Sequence, residues 1–248
     1  MIELKLPFAY RFRSNNEDTL SELEESHIYF QNPRKLNDPF DCYPELLKLT
    51  DDKNELKSFF QFLEPIIPAS EKSKIKSELS ANNLTSFKNM VGDYLDKFIN
   101  KFGIACLSLS PANLMMWSHY SNFHKGICLQ YDTSKDENAF RRTRPMNYVD
   151  KFEQKEYNPI KEGNQFEHLL YTKSDVWRNE YELRVVKETQ GRFPIDRNCL
   201  RTIIFGLKTE EDYKQRIFDL TFDKYPNLSY FESEPLKNGF GLTFKQIG

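Results

Sequence analysis

A chain of 248 residues that is 39% hydrophobic and 15% aromatic can bury a substantial core, which excludes a disordered or fibrous protein. Lys and Arg total 35 against 37 for Asp and Glu, a formal net charge of -2, so general attraction to nucleic acid is excluded and a polyanion partner would need a local basic patch. No run approaches about 18 apolar residues, and Met1 to Pro7 is too short and too charged for the apolar core of a secretory signal; the expectation is a cytoplasmic protein with no membrane partner.

Residues 8 to 13 alternate apolar and basic side chains after Pro7, which predicts a first strand with Arg11 and Arg13 on one face. A short helix is expected from Asp18 to Glu25, then a strand-like triplet, Ile28 to Phe30. Pro33 and Pro39 make the stretch from Asn32 to Asp41 an ordered loop rather than a helix. From about Asp51 to Phe102, Leu84, Phe87, Val91, Leu95, Phe98 and Phe102 step by three or four residues, the spacing of an amphipathic helix. Pro65 and Pro68 divide this region into two helices, read as an insert packed against the main sheet and the last place to expect chemistry.

Ile104 to Leu109 reads as a buried strand closed by Pro111, followed by a short helix around Met115 to Tyr120, Gly126, and a strand from Ile127 to Tyr131. Residues 133 to 165 read as a charged loop excursion whose Arg141, Arg142 and Arg144 form a solvated basic cluster. The last third predicts strands at Glu180 to Val186, Thr202 to Gly206 and Leu228 to Phe231. A helix from Glu210 to about Phe222, capped by Thr209, joins the last two. With no repeat and no linker, the economical expectation is one α+β domain over residues 1–248, with a central mixed or split β-sheet and a helical insert at about 51–102. Cys42, Cys106, Cys128 and Cys199 lie far apart with no histidine at metal-ligand spacing, so they read as small buried hydrophobes rather than a zinc or disulfide framework.

The run from Trp177 to Val186 is the most informative segment. Strand periodicity places Glu180, Glu182 and Arg184 on one face and turns Tyr181, Leu183 and Val185 toward a core. Two carboxylates and a guanidinium on one face are costly unless paired or used, so a polar cleft is expected there. The order Arg11 or Arg13, then Ser108 and Ser110, then Glu180-x-Glu182 resembles the arginine, serine and glutamate signature of ADP-ribosyltransferases. That resemblance implies an ADP-ribosyltransferase-like fold with NAD as substrate and no metal. Arg11 or Arg13 would anchor the NAD phosphates and the serines would hold the nicotinamide ribose. Glu182 would stabilise the oxocarbenium-like ribosyl centre and Glu180 would activate the acceptor. The physics agrees, since a carboxylate beside developing positive charge lowers a barrier and a guanidinium suits phosphate. The plainer alternative pairs Arg11 or Arg13 with Glu180 or Glu182 across neighbouring strands, with no turnover.

A longer resemblance runs through Asn37-Asp38-Pro39-Phe40-Asp41, Met116-Trp117-Ser118-His119-Tyr120 with Gly126-Ile127-Cys128 after it, and Lys173, Trp177, Glu180, Glu182 and Arg184. Together these are similar to a large bacterial family known only as a domain of unknown function. The family implies no activity; its members look like accessory genes of mobile and phage-defence loci, which implies a partner protein from such a locus. Within this pattern Trp117, His119 and Tyr120 are candidates to line a pocket, because aromatic faces stack on nicotinamide or adenine and an imidazole moves protons near neutral pH. Their alternative is a helix packed over the sheet. Asn37-Asp38-Pro39 most simply makes a rigid turn; the functional version joins Asp38 and Asp41 to Glu180 and Glu182 around a divalent metal. One glycine, Gly206, before an acidic helix start is too little to hold a phosphate.

The expected function is therefore an NAD-dependent ADP-ribosyltransferase-like effector, in phage defence or a toxin system, acting on a protein or nucleic-acid acceptor. Its cleft is lined by Arg11, Arg13, Ser108, Ser110, His119, Tyr120, Glu180, Glu182 and Arg184. The alternatives are a metal-dependent nuclease and a non-enzymatic ligand- or protein-binding module.

Overall fold

The structure is a computed structural model that describes residues 7–65, 67–80, 85–157 and 166–247. Its first elements are β1 (Phe8–Arg13), α1 (Glu17–Glu25), β2 (His27–Phe30), β3 (Leu47–Leu49), α2 (Lys53–Leu63), α3 (Ala69–Ser80) and α4 (Thr85–Ile99). There follow β4 (Gly103–Ser108), α5 (Leu114–Tyr120), β5 (Ile127–Asp132), α6 (Glu137–Phe140), β6 (Arg144–Pro145), β7 (Asn147–Val149) and β8 (Lys155–Tyr157). The chain closes with α7 (Phe166–Tyr171), β9 (Thr172–Ser174), β10 (Glu182–Lys187), β11 (Gly191–Pro194), β12 (Leu200–Phe205), α8 (Glu211–Thr221), β13 (Ser229–Pro235) and β14 (Leu242–Gln246). These divide into two compact units: Met1–Gln31, Gly103–Met146 and Val176–Gly248 make the first, Asn32–Phe102 and Asn147–Asp175 the second. The second unit thus takes in residues 32–50 and 147–175 as well as the helical region expected at 51–102.

The first unit is an α+β structure built on an eight-stranded mixed sheet in the order β14-β13-β12-β5-β1-β4-β10-β6. Only β12 and β13 run parallel, as the intervening helix α8 requires, and the expected strand, helix, strand unit is present. Alternation gives the sheet two inner faces. Ala9, Leu107, Leu129, Leu183, Ile203 and Phe205 point to one, where Leu20 and Leu23 of α1 and Tyr213 and Ile217 of α8 complete the core. Phe12, Cys128 and Ile204 point to the other and are covered by Met116 and Trp117 of α5, with the Trp117 ring edge-on to Phe12 at 5.2 Å. Two of these helices, α1 and α5, start on an asparagine. Asn16 accepts from the Thr19 amide, and Asn113 from the Met115 and Met116 amides, satisfying donors that a helix start leaves open.

In the second unit Leu56, Phe59, Phe60 and Leu63 of α2 bury one stripe, and Phe87, Val91, Leu95 and Ile99 of α4 another. Phe59 and Phe87 meet edge to face at 5.5 Å. Two short parallel ladders, β3 with β8 and β7 with β9, complete the unit. Among the described residues, no helix is long and apolar enough to cross a membrane.

Several local expectations are corrected. Three helices rather than two are described between 51 and 102; residues 81–84, with Leu84 of the expected stripe, lie outside the described residues, as do Met1 to Leu6. The excursion at 133–165 holds α6, β6, β7 and β8, because short elements with little apolar periodicity carry almost no local signal. Thr209 does not cap α8: its Oγ1 donates to the Gly126 carbonyl at 2.8 Å, and Glu210 stands at the cap without a side-chain bond.

Candidate functional site

The expected cleft is divided by the sheet itself. Tyr10 on β1 lies opposite Ser108 on β4, and Ser108 opposite Glu182 on β10, so these three share one face. Arg11 and Arg13 are one residue out of phase with Tyr10 and project to the other face, where Arg11 pairs in register with Leu129. Their partner is Glu22 of α1, only 3% exposed. Arg11 Nη1 lies 3.1 Å from Glu22 Oε1 and Arg13 Nε 2.8 Å from Oε2. The Tyr29 amide also donates to Oε1 at 3.2 Å, while Arg11 Nη2 donates to the Tyr29 carbonyl at 3.2 Å. Burial, and then the neighbouring Arg11 charge, lower the Arg13 pKa from its ordinary value. The arginines therefore neither meet Glu180 and Glu182, as the ion-pair alternative had it, nor share a cleft with them.

Glu180 is not part of the strand. It ends a 3-10 turn, Asp175–Glu180, and β10 begins two residues later. Between them Tyr181 adopts φ +48° and is 52% exposed, so it does not face the core as strict alternation required. A bulky residue in the left-handed region costs on the order of 1–3 kcal/mol and persists only when neighbours fix it. Here the Leu109 amide donates to the Tyr181 carbonyl at 3.0 Å, the Tyr181 amide to Arg178 at 3.1 Å, and Ser108 Oγ to the Glu180 carbonyl at 2.8 Å. Asn113 Nδ2 donates to the Asn179 carbonyl as well.

The result is a compact acidic corner. Tyr120 Oη donates to Glu180 Oε1 at 2.6 Å, a charge-assisted bond. Arg184 Nε donates to Glu182 Oε1 at 2.8 Å, with side chains 0% and 2% exposed. Ser108, fully buried, uses its hydroxyl on the turn, and Ser110 Oγ accepts from the Ala112 amide at 3.2 Å; both serines shape the loop from β4 to α5. His119 is exposed, its ring 6.3 Å from Tyr120. Trp117 is core: it is fully buried and its Nε1 donates to the Pro111 carbonyl at 2.7 Å.

Sequence reasoning missed the continuation of this face. The row Glu182, Ser108, Tyr10 runs on through Gln130 of β5, Thr202 of β12 and Ser229 of β13, each in register with the next. Tyr10, Gln130 and Thr202 are half-buried. The available signal was Gln130, a lone amide within the otherwise apolar Ile127-Cys128-Leu129-Gln130-Tyr131.

His124 was also missed. Asn122, Phe123 and His124 take φ values of +47°, +55° and +70° in succession, and the His124 ring stacks on Trp117 at 6.1 Å with Nε2 3.4 Å from Ser118 Oγ. The two nearby glycines permit close backbone approach. A Cβ at Gly126 would stand 2.0 Å from the Arg13 carbonyl oxygen, and one at Gly206 2.3 Å from that of His124. Burial lowers the pKa of His124, with the Lys208 charge adding to the effect, and burial likewise lowers that of His27. Both imidazoles accept a proton more readily in the unfolded chain, whose value is about 6.5. Their contribution to stability is complete above that pH and is lost as pH falls through the lower folded values. The urea midpoint is expected to drop between pH 7.5 and pH 5.5, and the drop to shrink in His124→Asn, which tolerates positive φ. An identical drop in the variant would remove His124 from the account.

In the second unit Asp38 Oδ1 accepts from the Phe40 amide at 2.9 Å, the rigid turn expected of Asn37-Asp38-Pro39. Asp41 Oδ2 lies 3.8 Å from Lys173 Nζ, both side chains almost fully buried, which ties two of the family-like motifs together. Asp38 and Asp41 belong to the second unit, Glu180 and Glu182 to the first. Among the described residues, no three His, Cys, Asp or Glu side chains are grouped so as to hold a metal ion.

A family model described as a protein of unknown function (DUF2971) matches residues 116–185, from the start of the Met116-Trp117-Ser118-His119-Tyr120 motif to Val185 in β10. No curated protein and no solved structure matches the chain. The ADP-ribosyltransferase resemblance rests on the residues alone.

Proposed function

We propose that the first unit binds NAD on the sheet face carrying Tyr10, Ser108 and Glu182 and transfers its ADP-ribosyl group. The observation that carries this reading is the lateral register of those three residues on adjacent strands, with the Tyr120–Glu180 pair beside them. Nicotinamide would leave with the electron pair of its bond to the ribosyl carbon, a nucleophile of the acceptor would bond to that carbon, and Glu180 would take the nucleophile's proton. Glu182, held by Arg184, would stabilise the developing positive charge. Arg11 and Arg13 have no part in this version. An effector role in a phage-defence or toxin locus, on a protein or nucleic-acid acceptor, belongs to the same proposal.

The test is nicotinamide release from NAD. The wild-type chain is expected to release it with or without EDTA, and Glu182→Gln to be slower by about 100-fold, the usual scale for losing one preorganised electrostatic contact. Glu180→Gln, which leaves the Glu182–Arg184 pair intact, serves as the second variant. Unchanged rates in both would sink the reading. One observation favours a binding module without turnover: the Glu182–Arg184 pair is wholly buried, as a purely structural ion pair is. NAD bound but never cleaved is the result that supports that second reading.

A further inference from the structure

We infer that Tyr10 anchors the carboxamide of nicotinamide, an assignment that rests on the NAD reading above. Thr202 Oγ1 donates to Gln130 Oε1 at 2.7 Å, and Gln130 Nε2 donates to Tyr10 Oη at 2.8 Å. The donors run in one direction across three neighbouring strands. The Tyr10 oxygen therefore already receives a bond, and its own proton is left for an acceptor outside the row. Each bond in such a chain polarises the next, which makes the terminal phenol a better donor than an isolated one.

What that acceptor is follows from the surroundings. Tyr10 and Tyr120 both pack, partly buried, on the cluster of Phe12, Met116, Trp117 and Cys128, so the hydroxyl stands at the edge of an aromatic and apolar surface. Glu180 and Glu182 stand in this region with Arg184 and its register partner Arg144, and Arg178 lies in the turn before Glu180. The two arginines of β1 are on the opposite face with Glu22. A neutral carbonyl on a flat ring, as in a primary carboxamide, satisfies the lone donor and lays its ring on the aromatic surface.

The full chain would be titrated calorimetrically with nicotinamide, NAD and ADP-ribose, as wild type, Tyr10→Phe and Thr202→Val, with thermal midpoints to confirm folding. Tyr10→Phe removes one hydroxyl and is expected to weaken nicotinamide and NAD binding roughly three- to tenfold, the scale of one neutral hydrogen bond, while ADP-ribose, which lacks the carboxamide, is bound as before. Thr202→Val removes the first donor of the relay and is expected to weaken nicotinamide about twofold by the loss of polarisation. Equal nicotinamide binding by wild type and Tyr10→Phe, or none by the wild type, overturns the assignment. Nicotinamide release by the same wild-type preparation is scored separately. Release with Tyr10→Phe binding unimpaired overturns only the role of Tyr10. Binding lost in Tyr10→Phe with no release in the wild type keeps the carboxamide site and overturns the transfer reading.

Discussion

Glu22→Gln is expected to destabilise the first unit by about 3–5 kcal/mol, the usual result of removing one partner from a buried ionic cluster. The substitution keeps the shape of the side chain and removes only its charge. In the wild type one carboxylate serves two guanidiniums, Arg11 with its side chain 8% exposed and Arg13 22%, and accepts a backbone amide besides. Without it, two like charges face each other in a half-dry setting, where burial and then the Arg11 charge lower the Arg13 pKa. The exposed Arg192–Glu25 pair is the control, with side chains 57% and 49% exposed. Arg192→Ala should leave the urea midpoint close to that of wild type, because an exposed, solvent-screened pair adds little. Urea unfolding followed by far-UV circular dichroism measures both. A Glu22→Gln variant within about 1 kcal/mol of wild type would mean that the cluster does not tie α1 to the sheet.

Trp117→Ala is expected to cost about 3–5 kcal/mol as well, for a different reason. The side chain is fully buried and forms the centre of the contact between α5 and the sheet, with Phe12 on its edge and His124 on its face. Truncation leaves a cavity and strips the Pro111 carbonyl of its donor. The same helix presents Tyr120 to Glu180, so the loss should extend to the candidate site. Trp117→Phe, which keeps most of the ring and loses the N–H, should cost less than half as much. If Trp117→Ala unfolds at the same urea concentration as wild type, α5 is not held by this contact.

These two residues also show where sequence reading stops. For Trp117 the sequence admits both pocket and core, because helical spacing alone does not say which flank of a seven-residue helix meets the sheet. Glu22 carries no sequence signal, because a glutamate in the amphipathic run Glu17–Glu25 is ordinarily solvated. It became the partner of two arginines only because α1 packs across the face to which Ala9, Arg11 and Arg13 point. The acidic run was legible as polar and unusual, yet its geometry depended on the left-handed backbone of Tyr181, for which tyrosine gives no local signal.

By itself the sequence determined the parts whose cause is local. Apolar and polar alternation specified β1, short apolar runs specified β5 and β12, and the strand, helix, strand pattern of the last third specified α8 between β12 and β13. Tertiary structure decided which of these faces met. Whether Tyr10 or Arg11 stands beside Ser108 and Glu182 is a matter of strand order and one residue of register, and a shift of one residue moves every side chain to the opposite face. Local propensity acts over a few neighbouring residues. The row from Glu182 to Thr202 is assembled from strands far apart in the chain, by packing energies that no single segment contains.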